Sequence, residues 1–366
     1  ALQDGKVIVG LFLDFQKAFD TVHHGILLSK LEKLGVRGKA LDWIRDYLNN
    51  RQQFVSVNST ISRFSKVSCG VPQGSILGPI LFLLYVNDIV NVSTDLFSIM
   101  YADDTTSFIE GPDLNSVANI VNRELIKLQY WLNCNKLKLN VDKTHYVIFK
   151  TSNRKLNHEL DFNIAVNGTK INRVHSTPFL GVILDEYLRW DKHINHVRSK
   201  ISKSIGVFCK SNRLFSLKTL STLYFSFVHP HLCYGVEVWG SAADTYISSL
   251  FKLQKKIVRI MTRSPPRTPS SPLFDDCAVY SIYAIYEQMI LAYMFKVFHN
   301  RLPFFLQDMF SFVNSDRTRQ QNSLVVPRCT LKIVKCSIRC KGVFIYNKYK
   351  NVIDFTCAYS TFKQKV

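Results

Sequence analysis

Three carboxylates stand where they could do chemistry together. Asp103 and Asp104 close a short apolar run, Leu96 to Met100, at Tyr101-Ala102-Asp103-Asp104, and Asp14 closes an earlier one, Val7 to Leu13. Both runs are short, rich in β-branched or aromatic residues and bounded by polar ones, the pattern of buried strands. A carboxylate at the tip of a buried strand is costly unless a cation neutralises it. Two such strands side by side would gather three hard oxygen ligands, a set suited to Mg²⁺. Two Mg²⁺ ions roughly 3.5–4 Å apart, with Mn²⁺ as an alternative, clamp the attacking and leaving oxygens in phosphoryl transfer. The competing reading of Asp103-Asp104 is a plain β-turn, since Asp is common in turns.

The elements that must hold these groups are legible around them. Gly70-Val71-Pro72-Gln73-Gly74 combines two glycines with a proline, so its backbone can approach a ligand closely in a fixed shape. Ser75 is placed to cap an apolar helix, Ile76 to Val90, in which Phe82, Leu83, Leu84 and Tyr85 read as core. Past Leu184 the period becomes helical: Ile194, Val197 and Ile201 share one face of Trp190 to Lys203, with basic residues elsewhere. His193 and His196 read as solvated or phosphate-facing, having no clear Cys or carboxylate partner. Helices are expected around Leu217–Val228 and Ile247–Met261, the second with a basic face of Lys252, Lys255, Lys256 and Arg259. The proline-dense stretch Ser264 to Pro272 predicts an extended linker over 264–276. Beyond it, Val279–Phe298 reads as a long aromatic-rich helix and Arg317–Asn322 as a polar loop.

Four motifs follow in order: Leu13-Asp14-Phe15-Gln16-Lys17-Ala18-Phe19-Asp20, then Gly70 to Pro79, then the paired aspartates, then Leu137-Lys138-Leu139-Asn140-Val141-Asp142-Lys143-Thr144 with Phe179-Leu180-Gly181-Val182 beyond. This series resembles the palm motifs of reverse transcriptases, most of all those of non-LTR (LINE-type), jockey-like retrotransposons. The resemblance is strong over the first half of the chain and looser after it. It implies an α+β fold: a polymerase palm over 1–186, a small antiparallel sheet with packed helices, then a helical thumb over 187–263. A mainly helical C-terminal extension, 277–366, would follow the linker. It also implies an RNA-directed DNA polymerase that adds dNTPs to a DNA primer 3′-OH on an RNA template.

Carried over position by position, the resemblance makes Asp14 and Asp103 the principal metal ligands, with the backbone carbonyl of Phe15 as a further oxygen and Asp104 completing the acidic cluster. Phe19 would lie beneath the incoming sugar and exclude a 2′-hydroxyl, the group that separates ribo- from deoxyribonucleotides; otherwise it is a core Phe. Gln73 and Gly74 would touch the incoming nucleotide. Lys143 would serve as general acid for the leaving pyrophosphate, or simply be solvated. Tyr101 and the hairpin Phe179-Leu180-Gly181 would face primer or template. Lys192, Arg198, Lys200 and Lys203 would contact phosphates. Element RNA, in a nuclear and cytoplasmic ribonucleoprotein, is the implied partner.

Composition agrees with a nucleic-acid partner. The formal charge is +20, yet residues 1–113 hold only 10 of the 47 Lys and Arg against 12 of the 27 Asp and Glu. The net positive charge therefore lies downstream of the paired aspartates, where a phosphate-binding surface is needed. The nine cysteines follow no disulfide pattern and suggest reduced thiols in a protein that is not secreted. Cys329, Cys336 and Cys340 invite a zinc reading, but no His follows His299 and no C-x₂-C pair is present. No stretch is apolar and long enough to predict a membrane span. Reverse transcriptases carry fingers upstream of the first motif, so the chain is expected to be an internal piece or a truncated copy. The alternative function is then a catalytically inactive remnant that retains nucleic-acid binding. A third reading, an RNA-templated RNA polymerase, is disfavoured by Phe19 and by the Ala102-Asp103-Asp104 wording.

Overall fold

Val7–Leu13 forms β1, and its near-continuous apolar sequence suits its place at the centre of a sheet. The computed structural model describes residues 1–151, 163–166, 168–313 and 323–365; the loop read at Arg317–Asn322 lies outside them. The chain folds as two compact units, Ala1–Ser176 and Thr177–Val366.

In the first unit the elements run β1, α1 (His24–Lys33), α2 (Lys39–Leu48), β2 (Gln52–Gln53), β3 (Ser56–Val57), β4 (Thr60–Ile61), β5 (Ser65–Lys66) and α3 (Leu77–Val86). They continue with β6 (Phe97–Tyr101), β7 (Asp104–Gly111), α4 (Leu114–Cys134), β8 (His145–Phe149), β9 (Ala165–Val166), β10 (Thr169–Lys170) and β11 (Asn172–Arg173). The main sheet has the order β11-β8-β1-β7-β6. Its pairs are antiparallel except β11 with β8, which is parallel. At the centre, Gly10 lies between Phe149 and Phe108, and a Cβ there would meet Phe149 Cε2 at 2.9 Å and Phe108 Cε1 at 3.1 Å. The glycine lets rings from both neighbouring strands close over the sheet.

Helix α4 is capped by Asp113, whose carboxylate accepts the Ser116 N–H (2.9 Å), and buries Val117, Val121, Leu125, Leu128 and Leu132 along one stripe. Glu124 falls on that stripe too. Its carboxylate pairs with Arg123 and Lys127, whose hydrogen bonds outweigh the cost of burial and hold it down at about 2. Helix α3 is shorter than the apolar run suggests: it stops at Val86 and tightens into a 3₁₀ turn over Asn87–Asn91, where polar residues replace the apolar period. Within it Phe82 and Tyr85 are buried as expected, whereas Leu83 is exposed.

A second correction concerns the run before the paired aspartates. β6 is an edge strand, not a buried one, with Phe97 and Tyr101 at 57% and 66% exposure. Its partner β7 is the strand beside β1. The cluster of carboxylates is therefore assembled by a hairpin that delivers β7, not by β1 and β6 pairing directly.

From Thr177 on, the second unit holds the rest of β12 (Ser176–Phe179), its hairpin partner β13 (Val182–Asp185), α5 (Asp191–Ser211) and α6 (Leu217–Phe227). The helix Asp244–Met261 packs with them around Trp239 and Tyr224. The helix Ile282–Phe298, capped by Ser281, gives Ile282 and Ile285 to that core and Ile290, Met294 and Phe295 to a second one. Buried Gln254 joins three segments, donating to Tyr224 OH (2.8 Å) and the Tyr280 carbonyl (3.1 Å) and accepting the Ile282 N–H (2.8 Å). The proline-dense segment lies inside this unit and ends in the helix Ser271–Asp276, with Leu273 and Phe274 buried. No described helix is long and apolar enough to cross a membrane.

Candidate active site

The backbone register sets the carboxylates. β1 pairs with β7 up to Leu13↔Thr105, so Asp14 leaves the sheet beside Asp104. β6 returns to β7 through the two-residue turn Ala102-Asp103, with Tyr101 opposite Asp104. Ala102 adopts the left-handed region (φ 53), which costs an L-residue about 1–2 kcal/mol and is a strain typical of functional turns. Burial, then the nearby charges of Asp103 and Asp14, push the Asp104 carboxyl above the usual carboxylate range. This mutual repulsion is what a bound cation would relieve.

Asp14 is held in place by a segment far along the chain. Asn140 Nδ2 donates to Asp14 Oδ2 (3.0 Å), and the Asn140 N–H donates to the Asp14 carbonyl (2.8 Å). The Asp14 N–H donates to Oγ1 of buried Thr144 (3.3 Å). The Gln16 N–H donates to the Lys138 carbonyl (2.9 Å), and Phe15 bridges to Leu139. Residues 138–144 thus brace the strand end that carries Asp14.

Asp14 and Asp103 border one open cavity of about 630 Å³, together with Phe15, Lys17, Phe19, Gln73, Lys138, Asn140 and Lys143. The half-buried Phe19 ring packs on Phe82 with centroids 4.5 Å apart. Gln73 is oriented by donating from Nε2 to Asp20 Oδ1 (2.8 Å). Its loop is tied to the Asp14 segment through Gly70 N–H to Val22 O (2.7 Å) and Val71 N–H to Phe19 O (2.8 Å). Gly70 has φ +88, and a Cβ there would lie 2.8 Å from the Asp20 carbonyl, so the loop requires glycine at this point. Ser75 Oγ donates to the Pro72 carbonyl (2.7 Å) and accepts the Gly78 N–H (2.9 Å), closing the loop onto α3.

Of the residues singled out from sequence in this unit, Asp14, Phe15, Phe19, Gln73, Asp103 and Lys143 share the cavity. Asp104, Gly74 and Tyr101 do not line it: Asp104 adjoins it on β7, Gly74 (φ +80) turns the loop, and the Tyr101 side chain is exposed. Asn140, Thr144 and Lys138 were missed as individuals, because their contacts to Asp14 and its neighbours span more than a hundred residues. Among the described residues no three His, Cys, Asp or Glu side chains form a ready metal cage. Two carboxylates on a cavity wall suit Mg²⁺ differently, since it commonly takes one or two protein carboxylates and completes its shell with substrate phosphates and water.

The second unit carries the remaining candidates. Leu180 (φ 45) and Gly181 (φ +79) form the tight turn of the β12–β13 hairpin. Tyr234 OH donates to the Leu180 carbonyl (2.6 Å), and a Cβ on Gly181 would lie 3.1 Å from the Tyr234 ring. Phe179 ends β12 half-buried. On α5, Ile194, Val197 and Ile201 are buried while Lys192, Arg198, Lys200 and Lys203 are exposed. His196 is exposed, but His193 is a correction: only 2% exposed, its Nδ1 accepts the Ile183 N–H (3.2 Å) and its ring meets Trp239 edge to face. It fastens α5 to the hairpin rather than facing solvent.

Residues 1–184 match the family model described as reverse transcriptase (RNA-dependent DNA polymerase). The RNA-directed DNA polymerase from mobile element jockey of Drosophila melanogaster is 29% identical over 276 residues, covering 72% of this chain and 29% of that protein. The probable RNA-directed DNA polymerase from transposon X-element of the same species is 27% identical over 260 residues, covering 69% and 28% respectively. The chain therefore spans less than a third of the length of these relatives. A solved telomerase from Candida albicans, in complex with a fragment of telomeric RNA, superposes with a TM-score of 0.42 at 14% identity, covering 75% of this chain and 51% of that one.

Proposed function

The chain belongs to the reverse transcriptase (RNA-dependent DNA polymerase) family, and from that premise we propose that it copies an RNA template into DNA. In each cycle a primer 3′-oxygen forms a bond to the α-phosphorus of a dNTP, the bond to pyrophosphate breaks, and the hydroxyl proton is released. The observation that carries this reading is the convergence of Asp14 and Asp103, from different strand ends, on the cavity that also holds Phe19, Gln73 and Lys143. Asp14, Asp103, Asp104 and the Phe15 carbonyl would hold two Mg²⁺ ions, which when bound would lower the pKa of the primer hydroxyl and neutralise charge on the triphosphate.

The chain's own residues supply position and charge. Asn140 and Thr144 fix Asp14, and Asp20 fixes Gln73, so the donors need little reorganisation when substrate arrives. Lys17, Lys138 and Lys143 put positive charge on the same cavity wall, where a triphosphate would need it. Lys143 is our candidate proton donor to the departing pyrophosphate. Phe19, backed by Phe82, is the candidate ring against C2′ of the incoming sugar. In the second unit, the turn at Leu180-Gly181 would support the primer backbone, and the exposed lysines and arginine of α5 would meet duplex phosphates. We further propose a wider assembly with element RNA, a ribonucleoprotein in nucleus and cytoplasm. Primer extension on RNA of defined sequence tests the reading, with supplied dNTPs withheld one at a time. Arrest at the template position complementary to the missing nucleotide is the expected result. Untemplated addition, or none at all with duplex binding intact, contradicts it.

A further inference from the structure

Between Asp46 and Asp88 the sequence holds no acidic residue, while Arg51, Arg63 and Lys66 fall inside the gap. The same stretch forms a two-stranded ribbon. Gln52 pairs with Lys66 and Gln53 with Ser65; beyond an interruption, Ser56 pairs with Ile61 and Val57 with Thr60. Asn58 (φ 46) and Ser59 (φ 69) close it with both turn residues left-handed, the favoured geometry for a two-residue hairpin. Every residue from 52 to 66 is exposed. Phe54 and Phe64, at 48% and 65% exposure, pack edge to face with centroids 5.0 Å apart, and Val55, Val57 and Ile61 are exposed nearby.

An isolated two-stranded ribbon is marginally stable in water, and exposed rings with aliphatic neighbours mark a surface that is covered in use. The charge says by what. Residues 1–113 are slightly acidic as a whole, with 10 basic against 12 acidic side chains, yet this ribbon is purely basic. Among the described residues Arg51, Arg63 and Lys66 have no ion pair. Cations interleaved with exposed rings are the means by which proteins hold single-stranded nucleic acid: bases stack on the rings and phosphates meet the cations. The ribbon also leads straight into the active-site loop, since Val67 N–H donates to the Arg51 carbonyl (2.9 Å), Cys69 bridges to His23, and Gln73 lies just beyond.

We propose that this ribbon is a docking platform for single-stranded nucleic acid, and that the strand it takes is the unpaired template beside the cavity. The naming of the strand as template rests on the polymerase reading; the binding itself does not. The test is fluorescence anisotropy on the full chain without dNTPs, comparing a blunt duplex with one bearing a single-stranded 5′ template overhang of about ten nucleotides. The wild type should prefer the overhang. Phe54→Ala with Phe64→Ala should weaken that preference at least about fivefold and leave blunt-duplex binding unchanged. Arg51→Gln, Arg63→Gln and Lys66→Gln together should weaken it and flatten its salt dependence. Unchanged melting curves for the variants make loss of fold a separate, visible result. Undiminished overhang preference in both variants overturns the proposal. So does loss of self-association in sedimentation with nucleic-acid binding intact, which would make the ribbon a protein interface. Asp103→Asn, which tests the polymerase reading, should keep the overhang preference, so the two claims fail separately.

Discussion

At the scale of single residues, the carboxylates were legible because chemistry and wording coincide: an aspartate at the end of an apolar strand is expensive and therefore informative. Their braces were not. Nothing local marks Asn140 as the partner of Asp14, because the hydrogen bond joins residues 126 positions apart. His193 misled for the converse reason: a histidine among basic residues looks solvated, and only the folded α5 shows it turned inward. Two predictions belong at this scale. Replacing Phe19 with Ala should raise incorporation of ribonucleotides relative to deoxyribonucleotides by about tenfold or more, read from paired single-nucleotide extensions, because it removes the ring, packed on Phe82, that is proposed to face C2′. The Asp104 carboxyl is raised by burial and by Asp103 and Asp14, so it takes up a proton at a pH where an ordinary carboxylate stays ionised. In metal-free protein the stability that Asp104 contributes should therefore be lost as pH rises through the raised value, since the folded state binds that proton more tightly than the unfolded one. Nucleotide addition should move oppositely, falling as pH drops through the same range. Asp104→Asn should remove this contribution to the pH dependence of stability, measured by thermal melts in chelator.

At the scale of elements, β1, α5 and the 282–298 helix were close to readable from the pattern of apolar residues alone. The failures have a common cause: local pattern does not report tertiary neighbours. β6 reads as buried from its apolar letters, but its place at the sheet edge decides its exposure. The prolines at 265–272 suggested a divider, whereas the segment packs Leu273 and Phe274 into the second unit's core. The hairpin and α5 yield a prediction of their own. Burial, with His196 and Lys200 nearby, lowers the His193 imidazole to about 4, and its neutral Nδ1 accepts the Ile183 N–H. The unfolded chain binds a proton there near the ordinary 6.5, so this part of the stability is complete above that pH and is lost as pH falls toward 4. The loss is up to about 3 kcal/mol by linkage. Melting curves from pH 7 to 4 should show a destabilisation that His193→Gln reduces; equal slopes for the two proteins would remove His193 as its source.

At the scale of the whole molecule, charge is divided along the chain. Its first 113 residues hold 12 acidic and 10 basic side chains, against 15 and 37 in the remainder. The net positive charge thus lies on the part of the chain that follows the carboxylates, and composition alone revealed it. Substituting Gln for Arg198, Lys200 and Lys203 should weaken duplex binding uniformly across sequences. It should also lower the slope of log affinity against log salt by about 0.7–0.9 for each phosphate no longer neutralised. An unchanged slope would place the phosphate-binding surface elsewhere. Whether the cavity bordered by Asp14 and Asp103 is the polymerase site is decided by single-turnover extension of a primer on an RNA template. Mg²⁺ is titrated for the wild type and Asp103→Asn, with duplex affinity measured on the same samples. The expected result is Mg²⁺-dependent extension that Asp103→Asn reduces at least about a thousandfold, with affinity unchanged within about twofold. Extension by Asp103→Asn at the wild-type rate would contradict the assignment.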